Sequence, residues 1–263
     1  MAKPLKLPTR ALGAEPGMPD VAALAAWIAD HRGTAADLIT YLLDRSLGHQ
    51  VTAGILAPCA GGRFYKNRVI RSLLGVEGGK ATGEIGLDSF AFCEDAAGII
   101  VQKKDAWCAL PAPHVLGITD TYYDDEYEWN DAVTGAYRTL MRSMRDVGIR
   151  GHVLICDTIT EPEITALARQ NVFFFQPEAD RQSLVILLEH QRQIAIGRDH
   201  LDTLLAFSGE YDLRKIIIVD PDPGSITRAL SCLDPDQVIA GGYCTARCED
   251  YWKNLVDAAV CWK

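Results

Sequence analysis

From residue 114 to the carboxyl terminus the chain repeats one pattern, a short apolar run followed by a capped or amphipathic segment. The runs cover residues 114–119, 152–156, 172–175, 193–196, 215–219 and 237–240. They are too short for helices, and their continuous apolar character marks strands covered on both faces. Strands of that kind interleaved with helices form βαβ units, so a largely parallel sheet is expected.

The intervening segments carry helix signals. Across 129–147, Trp129, Val133, Tyr137, Leu140, Met144 and Val147 share one face, while Arg138, Arg142 and Arg145 fall elsewhere. Thr160 and Glu163 have the spacing of a capping box, with Pro162 tolerated in the first turn. Pro223 opens a further helix, and Cys248, Trp252, Leu255 and Ala259 form a stripe on the last. The tetrapeptide ending at Asp157, followed by Ile164 and Thr165, echoes the one ending at Asp220, followed by Ile226 and Thr227. Short hydrophobic strands share such similarity by chance.

The amino-terminal half is less regular. After a Pro- and Gly-spaced leader, residues 21–31 and 35–47 have helical spacing, with Thr34 capping the second, and give a helical hairpin preceding the sheet. Residues 51–57 read as a first strand, 58–62 as a loop, 65–74 as a short basic helix and 75–83 as a Gly-rich loop. Segments 89–93, 98–102 and 106–110 are short, and the link Lys103-Lys104-Asp105 is too brief for a parallel crossover, so a β-meander is expected. The organisation is then 1–50, leader and hairpin; 51–113, an α/β segment with the meander; and 114–263, regular βα repeats packed with 51–113 as one unit. The expected fold is α/β with a largely parallel, doubly wound open sheet. The alternative is an irregular (β/α)8 barrel, because six successive βα units in 263 residues suit both.

A net charge of −9 and a pI near 5.1 oppose a general phosphate-neutralising surface, so no nucleic-acid partner is expected. Neither a secretory signal nor a run of membrane-spanning length is present, which points to a cytoplasmic protein without a membrane partner. The stretch from Gly75 to Thr82 lacks P-loop spacing: three residues separate Gly75 from Gly79, and Ala81 follows Lys80.

In parallel α/β structures ligands gather at the carboxyl ends of the strands. Those ends carry Asp120, Asp157, Glu178, Asp199 and Asp220. Asp157 and Asp220 are candidate acid/base residues, joined by His200 as the imidazole for proton transfer near neutral pH. Asp120, Asp157 and Asp220 are candidate ligands for a hard divalent cation. The competing explanation is that such residues cap helices and complement their amino termini. Gly61, Gly62 and Arg63, with Lys66, Arg68 and Arg71 close behind, form the one basic concentration. There, backbone N–H groups and a guanidinium would meet a phosphate or carboxylate.

The eight cysteines (Cys59, Cys93, Cys108, Cys156, Cys232, Cys244, Cys248 and Cys261) read as thiols, because a cytosolic chain with a full core does not need disulfides. Cys244, at a strand end, is a candidate nucleophile. Two function classes compete. The first is an enzyme acting on a small anionic metabolite, with strand-end carboxylates, Arg63 orienting the substrate and a divalent metal as an open cofactor. The second is a non-catalytic protein handling a cofactor or metal centre through Cys156, Cys244 and Cys248, with a Cys-ligated metal or cluster. The acidic, aromatic strip 121–129 is a candidate lid or docking strip, and a protein partner or homo-oligomer stays open.

Overall fold

The computed structural model describes residues 4–31, 36–245 and 248–262. The chain opens on β1 (Pro4–Lys6), β2 (Thr9–Ala14), α1 (Val21–Asp30) and α2 (Leu38–Ala53). Next come β3 (Cys59–Gly61), α3 (Lys66–Ser72), the hairpin of β4 (Leu73–Glu77) and β5 (Lys80–Leu87), α4 (Phe90–Gln102), β6 (Trp107–Pro111) and β7 (Thr119–Asp120). Regular alternation follows: α5 (Glu126–Val147), β8 (His152–Ile155), α6 (Glu161–Leu167), β9 (Val172–Phe175), α7 (Arg181–His190) and β10 (Gln193–Gly197). It continues through α8 (Leu201–Leu205), β11 (Lys215–Val219), α9 (Pro223–Leu230), β12 (Val238–Cys244), α10 (Cys248–Ala258) and β13 (Val260–Trp262). β13 pairs antiparallel with β1, which brings the chain ends together.

Two parallel four-stranded sheets, β10-β11-β12-β2 and β3-β6-β8-β9, make up the centre. A parallel bridge between Arg10 and Ala57 joins them: Ala11 N–H donates to the Ala57 carbonyl at 3.0 Å, and Ala57 N–H donates to that of Thr9 at 3.0 Å. The largely parallel α/β class is therefore as expected. The strands succeed one another in chain order, and β12 returns to pair with β2, which is the strand order of the (β/α)8 alternative. Hydrogen bonding stays open along one seam, since no ladder joins β9 to β10 among the described residues. The Gln191 side chain serves that edge: its Oε1 accepts from Phe174 N–H at 2.9 Å, and its Nε2 donates to the Phe174 carbonyl at 3.0 Å.

Strand alternation sorts the core. Trp107, Ala109, Val153, Ile155, Phe173, Phe175, Ala195 and Ile217 fall in one buried cluster, enclosed by the strands. Their neighbours Cys108, Leu110, Leu154, Phe174, Ile194, Ile196, Ile216 and Ile218 fall in a second, against the helices. The α5 stripe holds, with Val133, Tyr137, Leu140 and Met144 buried.

Several local expectations change. Thr9–Ala14, inside the segment read as a leader, is a central strand, so the helical hairpin follows the first strand instead of preceding the sheet. Residues 51–53 complete α2 and are not a strand. That helix is capped by Asp37 in a capping box with Thr40, while Thr34 lies outside the described residues. The Gly-rich stretch is the β4–β5 hairpin, turned at Gly78 and Gly79 with φ of 55° and 78°. Residues 90–102, read as two strands of a meander, are the single helix α4; the small sheet is instead β4-β5-β7. Residues 114–116 belong to a 3₁₀ turn.

Gln191→Leu removes both partners of Phe174's backbone groups while keeping the side chain's bulk. It is expected to cost about 2 kcal/mol in chemical denaturation, from buried polar groups left unmatched. An unchanged midpoint would show that the seam is held by other contacts. His152, fully buried outside the ring and bonded through Nε2 to the Met141 carbonyl at 3.1 Å, has its pKa pushed down to about 3 by burial. The unfolded chain protonates this group first, so stability is expected to fall as pH drops from about 6.5 toward 3, with a slope of up to about 1.4 kcal/mol per pH unit. His152→Gln should flatten that limb of the stability–pH curve.

A candidate active site at the carboxyl ends of the strands

Glu15, the residue after β2, organises this end of the sheet. Its Oε1 accepts from Arg63 N–H at 2.5 Å and from the Tyr243 hydroxyl at 2.6 Å, and its Oε2 accepts from Phe64 N–H at 3.3 Å. Those two amides head the turn after β3, where backbone donors point outward. The backbone donors after Gly61 and Gly62 are thus taken by a carboxylate of the protein itself, that of Glu15. Gly61, at φ 84°, and Gly62 permit the approach: a Cβ on Gly61 would lie 2.4 Å from the Ala109 carbonyl oxygen, and one on Gly62 2.2 Å from that of Ala14 and 2.7 Å from Glu15 Oε1.

The Arg63 side chain stays at the mouth. Its Nη1 meets Asp157 Oδ1 at 2.5 Å, and its Nη2 reaches the Cys156 carbonyl at 3.5 Å. The Asp157 carboxylate raises the Arg63 pKa, and with 58% of its own side chain exposed it remains within reach of a ligand. Arg68 of the basic cluster does not join it. Arg68 turns inward to Asp37 at 2.8 Å and to Asp95 at 3.0 Å, and Asp95 also accepts from the Tyr65 hydroxyl at 2.6 Å.

On the far side of the mouth, the Tyr251 hydroxyl of α10 accepts from Tyr243 N–H at 2.9 Å and donates to Asp220 Oδ1. Burial first, then the hydroxyl–carboxylate bond, pushes the Tyr251 phenol well above its ordinary range, so it stays a proton donor. Burial and Glu15 do the same for Tyr243. Asp220 adopts φ 51°, a left-handed conformation that Asp tolerates better than most residues.

Other candidates lie apart. His200 faces Glu178 at 3.7 Å and makes no contact with Arg63, Asp157 or Asp220 among the described residues. Asp199 is 87% exposed beside Arg198 at 3.8 Å. Asp120 sits in the β4-β5-β7 sheet, where its Oδ1 accepts from Tyr122 N–H and Tyr123 N–H at 3.0 and 3.1 Å. Among the described residues no group of three or more His, Cys, Asp or Glu is placed to hold a metal ion, so the Asp120, Asp157 and Asp220 set is not brought together. In the acidic strip, Asp125 caps α5, and Tyr122 and Tyr127 are exposed. The strip borders a groove of about 790 Å³ between α5 and α6, away from Arg63.

The thiol expectation is corrected. Cys244 ends β12 and Cys248 begins α10, with Cα atoms 5.8 Å apart, and the two form a disulfide. Cys244 is therefore not a nucleophile in this state. Cys156 is buried, its thiol pKa raised by desolvation, and its Sγ faces the Phe175 carbonyl at 3.4 Å. The three sulfurs do not form a ligand set.

Glu15 and Tyr251 are not among the residues that the sequence singles out. Glu15 closes a short apolar run as the other strand-end carboxylates do, which is the signal that would have found it. Tyr251 has no comparable signal, being one aromatic on an amphipathic helix. Glu163 also departs from expectation. It does not complete a capping box with Thr160 but accepts from His114 N–H at 2.8 Å and lies 2.8 Å from His114 Nδ1.

No protein-family model matches the chain, and no curated protein sequence matches it. Its fold is similar to that of the putative vitamin-B12 independent methionine synthase from Listeria monocytogenes, with a TM-score of 0.70 and 15% identity over 97% of this chain and 98% of that one. It is also similar to a B12-independent methionine synthase from Shewanella sp. W3-18-1 in complex with selenomethionine, with a TM-score of 0.65 and 13% identity over 97% of each chain. At these identities the likeness shows the shared α/β fold along nearly the whole chain. No described helix is long and apolar enough to cross a membrane.

Gly62→Ala is expected to push Ala14 and Glu15 away from the loop and to lower the thermal midpoint by several degrees. If the variant melts like the parent, the Glu15 contact is not what fixes the mouth.

Proposed function

We propose that the chain is an enzyme acting on a small, carboxylate-bearing metabolite at the carboxyl ends of its parallel strands. The observation that carries this is the partly exposed Arg63 guanidinium, held by the Asp157 carboxylate and the Cys156 carbonyl. A guanidinium held in one orientation is suited to bidentate carboxylate binding. Asp157, Glu15 and Asp220 outnumber it, which disfavours a multiply charged anion. A zwitterion answers the balance: its carboxylate takes Arg63 while its ammonium group meets Asp157, the carboxylate beside it. α-Amino acids have that chemistry, and selenomethionine in the Shewanella neighbour supports testing them first.

The chemistry proposed is proton transfer. Asp220 accepts from Tyr251, whose phenol stays protonated, so the pair acts as a carboxylate base backed by a proton donor. Asp157 is the second carboxylate in reach of a ligand on Arg63. A divalent metal and His200 are not needed for these roles.

Calorimetric titration with amino acids, simple carboxylates and phosphate tests the assignment. One α-amino acid should bind best, and Arg63→Met should weaken it about 30-fold, the equivalent of about 2 kcal/mol for a charged hydrogen-bonded contact. Asp220→Asn should leave that binding within a few-fold while removing turnover. Equal binding to wild type and Arg63→Met would overturn the site.

A further inference from the structure

The opposite end of the strand ring holds a different kind of group. Arg10, the second residue of β2, points into the enclosed core and retains only 7% exposure. Its guanidinium carbon lies 3.9 Å from the Trp107 ring centroid and 4.9 Å from that of Phe173. The rings contribute cation–π attraction but accept no directed hydrogen bond from the edge of the guanidinium. Nε and Nη2 are buried and meet no protein acceptor. No carboxylate lies within ion-pair distance of Arg10 among the described residues.

The titratable groups acting on it are Cys59 and Arg150. Burial pushes the Cys59 thiol up to about 12, so it stays neutral. Arg150 adds a second positive charge. Burial lowers the Arg10 pKa only to about 10, which leaves the guanidinium protonated near neutral pH. Gln193, two residues before the core-facing Ala195 and hence on the same face of β10, contributes a further buried donor, Nε2, without a protein partner. A buried charge with several unmatched donors and no counter-charge is a costly arrangement for a protein to keep.

We propose that the amino-terminal end of the strand ring binds a small monovalent anion of the halide class, held by Arg10 Nε and Nη2 with Gln193 Nε2 completing its donors. Arg10 is the one buried guanidinium at the site and supplies its directed donors. This site lies at the other end of the strands from Arg63 and is independent of the substrate assigned there.

The test is thermal unfolding at constant ionic strength, with chloride or bromide replacing gluconate. The wild type should show a saturable rise of about 3 °C at ten times the dissociation constant, and Arg10→Met should show none. A rise that is absent, does not saturate or survives unchanged in Arg10→Met overturns the site, and names water or another group as the partner of Arg10. Should Arg10→Met fail to fold, wild-type crystals grown in bromide decide the matter. An anomalous peak within hydrogen-bond distance of Arg10 Nε or Nη2 supports the proposal, and no peak there at a bromide concentration that saturates the thermal shift refutes it.

Discussion

The carboxylate of Glu15 is the contact on which the mouth of the fold depends. A parallel strand ring has to join its first strand to its second and its last, and the backbone ladder does this only over short stretches near β2. Glu15 adds three hydrogen bonds at that junction, two from the turn after β3 and one from Tyr243 on β12. Bonds to an ionised acceptor are worth roughly 1.5–3 kcal/mol each, more than ladder bonds, and here they add to the β12–β2 ladder and the Arg10–Ala57 bridge. Gly61 and Gly62 are the cost of that arrangement, since any side chain at either would strike the neighbouring backbone.

The same contact decides what the mouth can bind. With the loop amides committed to Glu15, an incoming anion finds no free backbone nest after β3 and must use the Arg63 side chain. That side chain is shared with Asp157, so binding is an exchange of partners and not a simple capture. A ligand that brings its own positive charge to the released carboxylate loses least. The opposite end of the ring has the reverse character, with Arg10 and Arg150 and no paired acid at Arg10. The unmatched charge of Arg10 is thus buried at one end, while Asp157 and Asp220 stand exposed at the other.

How much of this was readable follows from what periodicity reports. β8, β9, β10 and β11 were placed from sequence within a residue or so because each is a continuous apolar run between helices, a pattern with one good solution. β2 was not, because Arg10 and Gly13 interrupt a six-residue run within a Pro-spaced segment, and both residues are there for tertiary reasons. Arg10 serves the interior, and Gly13 at φ 108° lets Ala109 approach. α4 was misread because its apolar residues cluster into two short groups around Glu94 and Asp95, and the second of these is buried against Tyr65 and Arg68. The site is half legible. Asp157 and Asp220 stand at strand ends, where rules about ligand position apply, and Arg63 stands out in the one basic concentration, whereas nothing local in a sequence says that a tyrosine one turn into α10 will reach Asp220.

The cysteines show why a sound argument about stability can still miss a covalent bond. A chain with this much buried apolar surface does not require disulfides, and the Cys244–Cys248 link closes too short a loop to rank among the strongly stabilising ones. Its two ends are four residues apart, so by loop-closure entropy it contributes about 2 kcal/mol, against nearly 5 for a hundred-residue loop. Its effect is positional. It ties the last central strand to the head of α10 three residues before Tyr251, whose hydroxyl must meet both Tyr243 N–H and Asp220. Geometry of that kind tolerates only a small displacement, and a covalent link across one short loop limits displacement where hydrogen bonds alone would let the helix fray.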